Sequence, residues 1–76
     1  MKRTTTLELA ADYKALADKS SHKNGLWKGA YEWTARILRT YHRARAEDML
    51  RRLANRYQHM AISSVFRAAA NTLAEQ

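Results

Sequence analysis

The sequence predicts an all-α protein, a small bundle of three to four helices in a single domain over residues 1–76. Three observations predict it. There is no Pro, and Gly25 and Gly29 are the only glycines, so the chain has almost no helix breakers. It is rich in alanine and lacks β-branched alternation. Its apolar residues recur at three- and four-residue intervals, which stacks them on one face of a helix.

The first helix is expected over about residues 5–20. Thr5-Thr6-Leu7-Glu8 fits a capping box, in which the Thr oxygen accepts a backbone N–H and Glu8 reaches back. Leu9, Tyr13 and Leu16 follow at helical spacing, with Ala10 and Ala17 beside them. Ser20 to Gly25 reads as a loop, because Asn24-Gly25 tolerates the left-handed conformation that ends helices.

The second helix is expected over 26–45. Trp27, Ala30, Tyr31, Trp33, Thr34, Ile37, Leu38, Tyr41 and Ala44 gather on one side of it, while Lys28, Arg36, Arg39 and Arg43 gather on the other. Propensity alone would continue this helix to Met60. The apolar face disagrees: Ala46, Met49, Leu50, Leu53, Tyr57 and Met60 lie about 140° around the wheel from the preceding face, whereas helical drift is only about 20° per heptad. The charges change sign there too, since Arg43 and Arg45 suit a helix C-terminus and Glu47 and Asp48 an N-terminus. These signals favour a kink or tight turn near 45–47 and a third helix over 46–60. The competing arrangement is one kinked long helix over 26–60 with two faces, each covered by a different neighbour. A second phase jump follows Met60. Ile62, Val65, Phe66, Ala69 and Leu73 form the face of a last helix over 63–75, which Ser63 or Ser64 is placed to cap.

The formal charge is +7, and its distribution is uneven. Residues 1–25 carry five basic and three acidic groups, 26–45 five and one, 46–60 three and two, and 61–76 one and one. The excess is therefore concentrated on the second helix, where arginine dominates and Glu32 is the one acid. Planar guanidinium forks suit bidentate contacts to phosphate or carboxylate. The candidate contact residues are Lys28, Arg36, Arg39 and Arg43, with Arg45 beside them and Arg67 on the last helix. Arg51, Arg52 and Arg56 are weaker candidates, because Glu47 and Asp48 sit one turn away and can pair with them. The tryptophans and tyrosines could stack on unpaired bases, but they share a face with Ile37 and Leu38 and are expected to fill the core. Trp33, at the edge of that face, is the one expected to stay partly exposed.

Other function classes find little support. The carboxylates are scattered, and the adjacent Glu47 and Asp48 point about 100° apart on a helix rather than converging. His22, His42 and His59 fall in separate segments and there is no Cys, so no metal site, catalytic group or cofactor is expected. No apolar run approaches the length of a membrane span, and the N-terminus lacks the apolar core of a signal peptide, which predicts a soluble, cytoplasmic chain with no membrane role.

Leu53 to Arg67 faintly resembles a helix-turn-helix, with Leu53-Ala54 in the first helix and Ser63, Ser64, Val65 and Arg67 opening the second. In that family the second helix enters the major groove, which would bring Ser63, Ser64 and Asn71 toward base edges, with Arg67 the one basic group of that helix. The resemblance covers about a fifth of the chain, lacks a turn glycine and is one residue too long in its spacing.

The expected function is that of a small, basic, non-enzymatic protein that binds nucleic acid through phosphate contacts or regulates a nucleic-acid-handling complex. The alternative is a protein–protein adaptor or inhibitor, of the accessory kind mobile elements carry, that docks its basic helix on an acidic partner surface. A chain this short buries only about 60% of its unfolded surface, so a homodimer is expected. Ala61, Ala68, Ala69, Ala70 and Ala74 offer a small-residue seam, either for that dimer or for a contact within the chain.

Overall fold

The computed structural model describes residues 5–20 and 25–75. Four helices follow in order: α1 (Thr6–Lys19), α2 (Gly25–Thr40), α3 (Arg43–Arg56) and α4 (Ser63–Ala74). The protein is an all-α bundle, as the sequence predicts. α1 packs along α2, α3 packs along α4, and α2 also touches both α3 and α4, so it is the element that joins the two pairs.

α1 starts where the capping signal places it. The Thr5 hydroxyl oxygen accepts from the Glu8 backbone N–H at 3.0 Å, and the residue is extended, as an N-cap requires. The return bond from Glu8 is not made. The helix buries Leu9, Ala10, Tyr13 and Ala17. Of the loop expected next, residues 21–24 lie outside the described residues. Gly25 is already helical and has no positive φ, so the left-handed role expected at Asn24-Gly25 does not fall on it.

α2 is shorter than expected. It ends at Thr40, and the chain breaks at Tyr41–His42 rather than at 45–47. The chain does break where the apolar face changes phase, and the single long helix over 26–60 is not formed. The change of charge sign does not mark the break, because Arg43 and Arg45 belong to the first turn of α3, where they do not complement the helix dipole. For Arg43 a contact of its guanidinium offsets this. Its Nε and Nη2 donate to the Leu73 carbonyl oxygen at 3.2 and 2.5 Å. That carbonyl is in the last turn of α4, where helix carbonyls lack intrahelical partners. Arg43 therefore closes α4 from the start of α3 and fixes the two helices antiparallel. With α2 ending early, Tyr41 and Ala44 leave the apolar face expected for them and are exposed.

α3 ends at Arg56, four residues before the expected boundary. Residues 57–63 then turn without glycine or proline. Met60 N–H donates to the Tyr57 carbonyl at 2.8 Å and Ser63 N–H to Met60 at 3.1 Å, both three residues back. This tighter winding changes the phase of the apolar face, which the sequence shows as the jump after Met60. The serines do not cap α4. Ile62 is its N-cap residue, Ser63 is buried, and the Ser64 hydroxyl donates to the Ala61 carbonyl at 2.8 Å.

The faint helix-turn-helix resemblance departs from that motif in its connection as well, since residues 57–62 separate α3 from α4. In that motif the two helices diverge at about 90–120° after a turn of three or four residues. Here a longer turn and the Arg43–Leu73 contact hold both ends of α3 and α4 together, as an antiparallel pair. Ala69 and Ala70 are buried within the chain, so the middle of the small-residue seam serves the fold itself.

The core is built largely from alanine with a few large residues. Ala10, Ala17, Ala35, Ala46, Ala54, Ala69 and Ala70 are buried and allow close helix approach, while Leu38, Leu50, Phe66 and Leu73 fill the space between. Thr34 is fully buried, and its hydroxyl is satisfied by the Ala30 carbonyl at 2.9 Å. The aromatic residues form two clusters on opposite flanks of α2. Trp27, Tyr31 and Tyr13 meet on the α1 side, with ring centroids 6.2–6.3 Å apart. Trp33, Tyr57 and Phe66 meet on the other side, at 5.8–6.3 Å.

Two predictions follow from this packing. Arg43→Ala leaves the Leu73 carbonyl uncapped and should cost about 1.5–3 kcal/mol, the range for hydrogen bonds to charged groups, read as a lower urea midpoint. Burial pushes the Tyr13 hydroxyl above its ordinary pKa of 10.0, with Tyr31 and then Asp12 adding to the effect. Above pH 10 the unfolded chain loses this proton before the folded chain does. The stabilising contribution is complete below that pH and disappears as pH rises through the folded-state value. Urea titrations across this range should show stability falling, less steeply in Tyr13→Phe.

Candidate nucleic-acid interface

The structure divides the predicted contact residues among four places. Lys28, Arg36 and Arg39 project from the outward side of α2, with Arg36 and Arg39 exposed and Lys28 half-buried. Glu32 lies among them, four residues from Lys28 and from Arg36. Among the described residues it pairs with neither, although Lys14–Asp18, Glu47–Arg51 and Asp48–Arg52 all form ion pairs at the same spacing. Arg43 is engaged with Leu73 and drops out of the stripe. Arg45 is exposed on α3. Arg67 stands apart, lining a shallow depression of about 190 Å³ with Arg51, Ala54, Asn55 and Asn71 between α3 and α4.

The surface around Trp33 is the arrangement that residue spacing within one helix did not reveal. Trp33 is 42% exposed, as its position at the edge of the apolar face suggests. Three depressions meet at its indole. One, of about 310 Å³, is lined by Gly29, Glu32 and Arg36. A second, of about 180 Å³, is lined by Met49, Arg52, Leu53 and Arg56 of α3. The third, of about 270 Å³, is apolar and runs between Leu26 of α2 and Tyr57, Met60, Ile62 and Phe66. The indole thus borders both the depression that holds Arg36 of its own helix and the one that holds Arg52 and Arg56 of the next.

The orientation of Trp33 is set from beneath. Phe66, with no exposed surface, meets it at 5.8 Å and 83°, and Tyr57 meets it at 6.2 Å and 68°. Both are edge-to-face contacts, a preferred geometry for aromatic pairs. Arg56 in turn lies 5.9 Å from the centre of the Tyr57 ring. The expectation that Arg51 and Arg52 are paired holds: Glu47 and Asp48 meet them at 3.1 and 2.9 Å. Both pairs are exposed, however, and such pairs contribute little and exchange partners readily. Arg56 has no acidic partner among the described residues. The overlooked signal is the spacing of Arg45, Met49, Arg52 and Arg56, which places them on one stripe of α3.

His42 precedes α3 without a side-chain cap, His59 is exposed, and His22 lies outside the described residues. Among the described residues, no group of three or more His, Cys, Asp or Glu side chains could hold a metal ion. No described helix is long and apolar enough to cross a membrane. No protein-family model, curated protein or solved structure significantly matches the chain.

Gly29 has no evident structural reason to be glycine. It is helical, its φ is not positive, and a Cβ there would meet nothing within 4 Å. Glycine in a helix interior is less favourable than alanine by about 0.5–1 kcal/mol. Gly29→Ala should therefore stabilise the protein by a similar amount, measured as a raised thermal midpoint.

Proposed function

We propose that this chain is a small, non-enzymatic nucleic-acid-binding protein that contacts phosphates through arginines on both sides of Trp33. The observation that carries this reading is a partly exposed indole that borders one depression with Arg36 and another with Arg52 and Arg56. Lys28 and Arg39 extend the positive surface along α2. Guanidinium–phosphate contacts are charge-assisted and bidentate, and each one releases condensed counterions when it forms. Aromatic groups between basic ones are what a backbone-tracking site requires.

One observation favours a second reading, the acidic-partner adaptor. Leu26, Trp33 and Met60 expose apolar surface around one depression, as interface anchors do. Salt dependence separates the two. If three to five of Lys28, Arg36, Arg39, Arg52 and Arg56 meet phosphates, log affinity for duplex DNA should fall with log salt at a slope of about −3 to −4.5. Arg36→Ala combined with Arg39→Ala should make that slope shallower by about 2. Arg67→Ala, away from the Trp33 surface, should leave the slope unchanged. Absence of binding to DNA or RNA at low salt would sink this reading in favour of the adaptor.

A further inference from the structure

We infer that Trp33 is a stacking platform for an unpaired base, so that the preferred ligand is a single strand rather than a duplex. This rests on the nucleic-acid reading above and narrows it to one class of ligand.

Four features converge on this site. The indole is on a helix and is braced by Phe66 and Tyr57, so little side-chain freedom is lost when a second ring stacks on it. Beside it, Gly29 leaves the helix backbone bare, and the depression of about 310 Å³ has room for a planar ring against that backbone. Glu32 lines the same depression and pairs with neither basic neighbour. A carboxylate repels phosphate but accepts N–H groups from the amino edge of a base, so this depression suits a base and not the backbone. Arg36 in this depression, and Arg52 and Arg56 in the neighbouring one that Trp33 also lines, are then available to the phosphates flanking that base.

A duplex cannot use this arrangement. Its bases are covered on both faces by their neighbours, and their Watson–Crick edges are occupied by pairing. Only an unpaired base can present a free face to Trp33 and a free edge to Glu32 together. The inference also explains two residues that the fold leaves unexplained, the mid-helix Gly29 and the acid within a basic stripe.

The test compares three labelled probes by fluorescence anisotropy: a mixed-sequence single-stranded DNA, its duplex, and an abasic deoxyribose-phosphate strand of equal length. The wild-type protein should bind the single strand more tightly than either other probe. Trp33→Leu, which keeps an apolar side chain over Phe66, should weaken single-strand binding about 5- to 160-fold, the effect of losing one stacked base. It should leave abasic-strand affinity and the salt slope unchanged. The wild-type comparison does not depend on the variant folding, and circular dichroism checks the variant. Equal binding of all three probes by the wild-type protein would overturn the inference while leaving the phosphate-binding reading intact. No binding of any probe at low salt would overturn both.

Discussion

The contact between Phe66 and Trp33 is the constraint on which both the fold and the surface depend. Two helix pairs make up the protein, and α2 is the element that joins them. Phe66 reaches α2 from α4 with no surface left exposed, and Tyr57 closes the cluster from the end of α3. Burying one such ring contributes about 1.5–3 kcal/mol, a large share of the net stability of so small a domain. The same contact decides what Trp33 can do. Phe66 already occupies the space beneath the indole, so the indole cannot withdraw further into the core. It remains at the surface in a fixed orientation, between arginines from two helices.

Arg43 shows how the meaning of a charge depends on its surroundings. As one of several arginines in a basic segment, it has the same side chain and the same helical spacing as Arg36 and Arg39. In the folded chain it closes the end of α4, because the break at Tyr41–His42 brings the start of α3 beside Leu73. A guanidinium can satisfy a helix carbonyl as well as a phosphate, and only the position of that carbonyl decides between the two roles. Arg51 and Arg52 illustrate a milder form of the same effect. Their ion pairs were readable at i, i+4 spacing, but their exposure, which keeps those pairs weak, was not.

Much of the architecture was readable because its causes are local. The Thr5 cap depends on a residue three positions away, and the absence of breakers acts residue by residue. The two phase jumps are properties of short windows, and both correspond to real ends of helices. Their exact positions were less readable. The chain has no glycine or proline at either break, so nothing local marks the site. The break at Tyr41–His42 goes with a contact across thirty positions, from Arg43 at the start of α3 to Leu73 of α4.

By itself, then, the sequence determined an all-α bundle, its first helix cap, its apolar faces and the concentration of positive charge on α2. It also marked Trp33 as the aromatic residue at the edge of its face. Tertiary structure alone decided which arginines are free and which is built into the fold. It also brought Arg52 and Arg56 of α3 to a depression that shares its indole with the one holding Arg36. The physical reason is that helical periodicity describes one helix at a time. A surface made by two helices depends on the angle and register of their packing, which Phe66 and Tyr57 set from beneath Trp33.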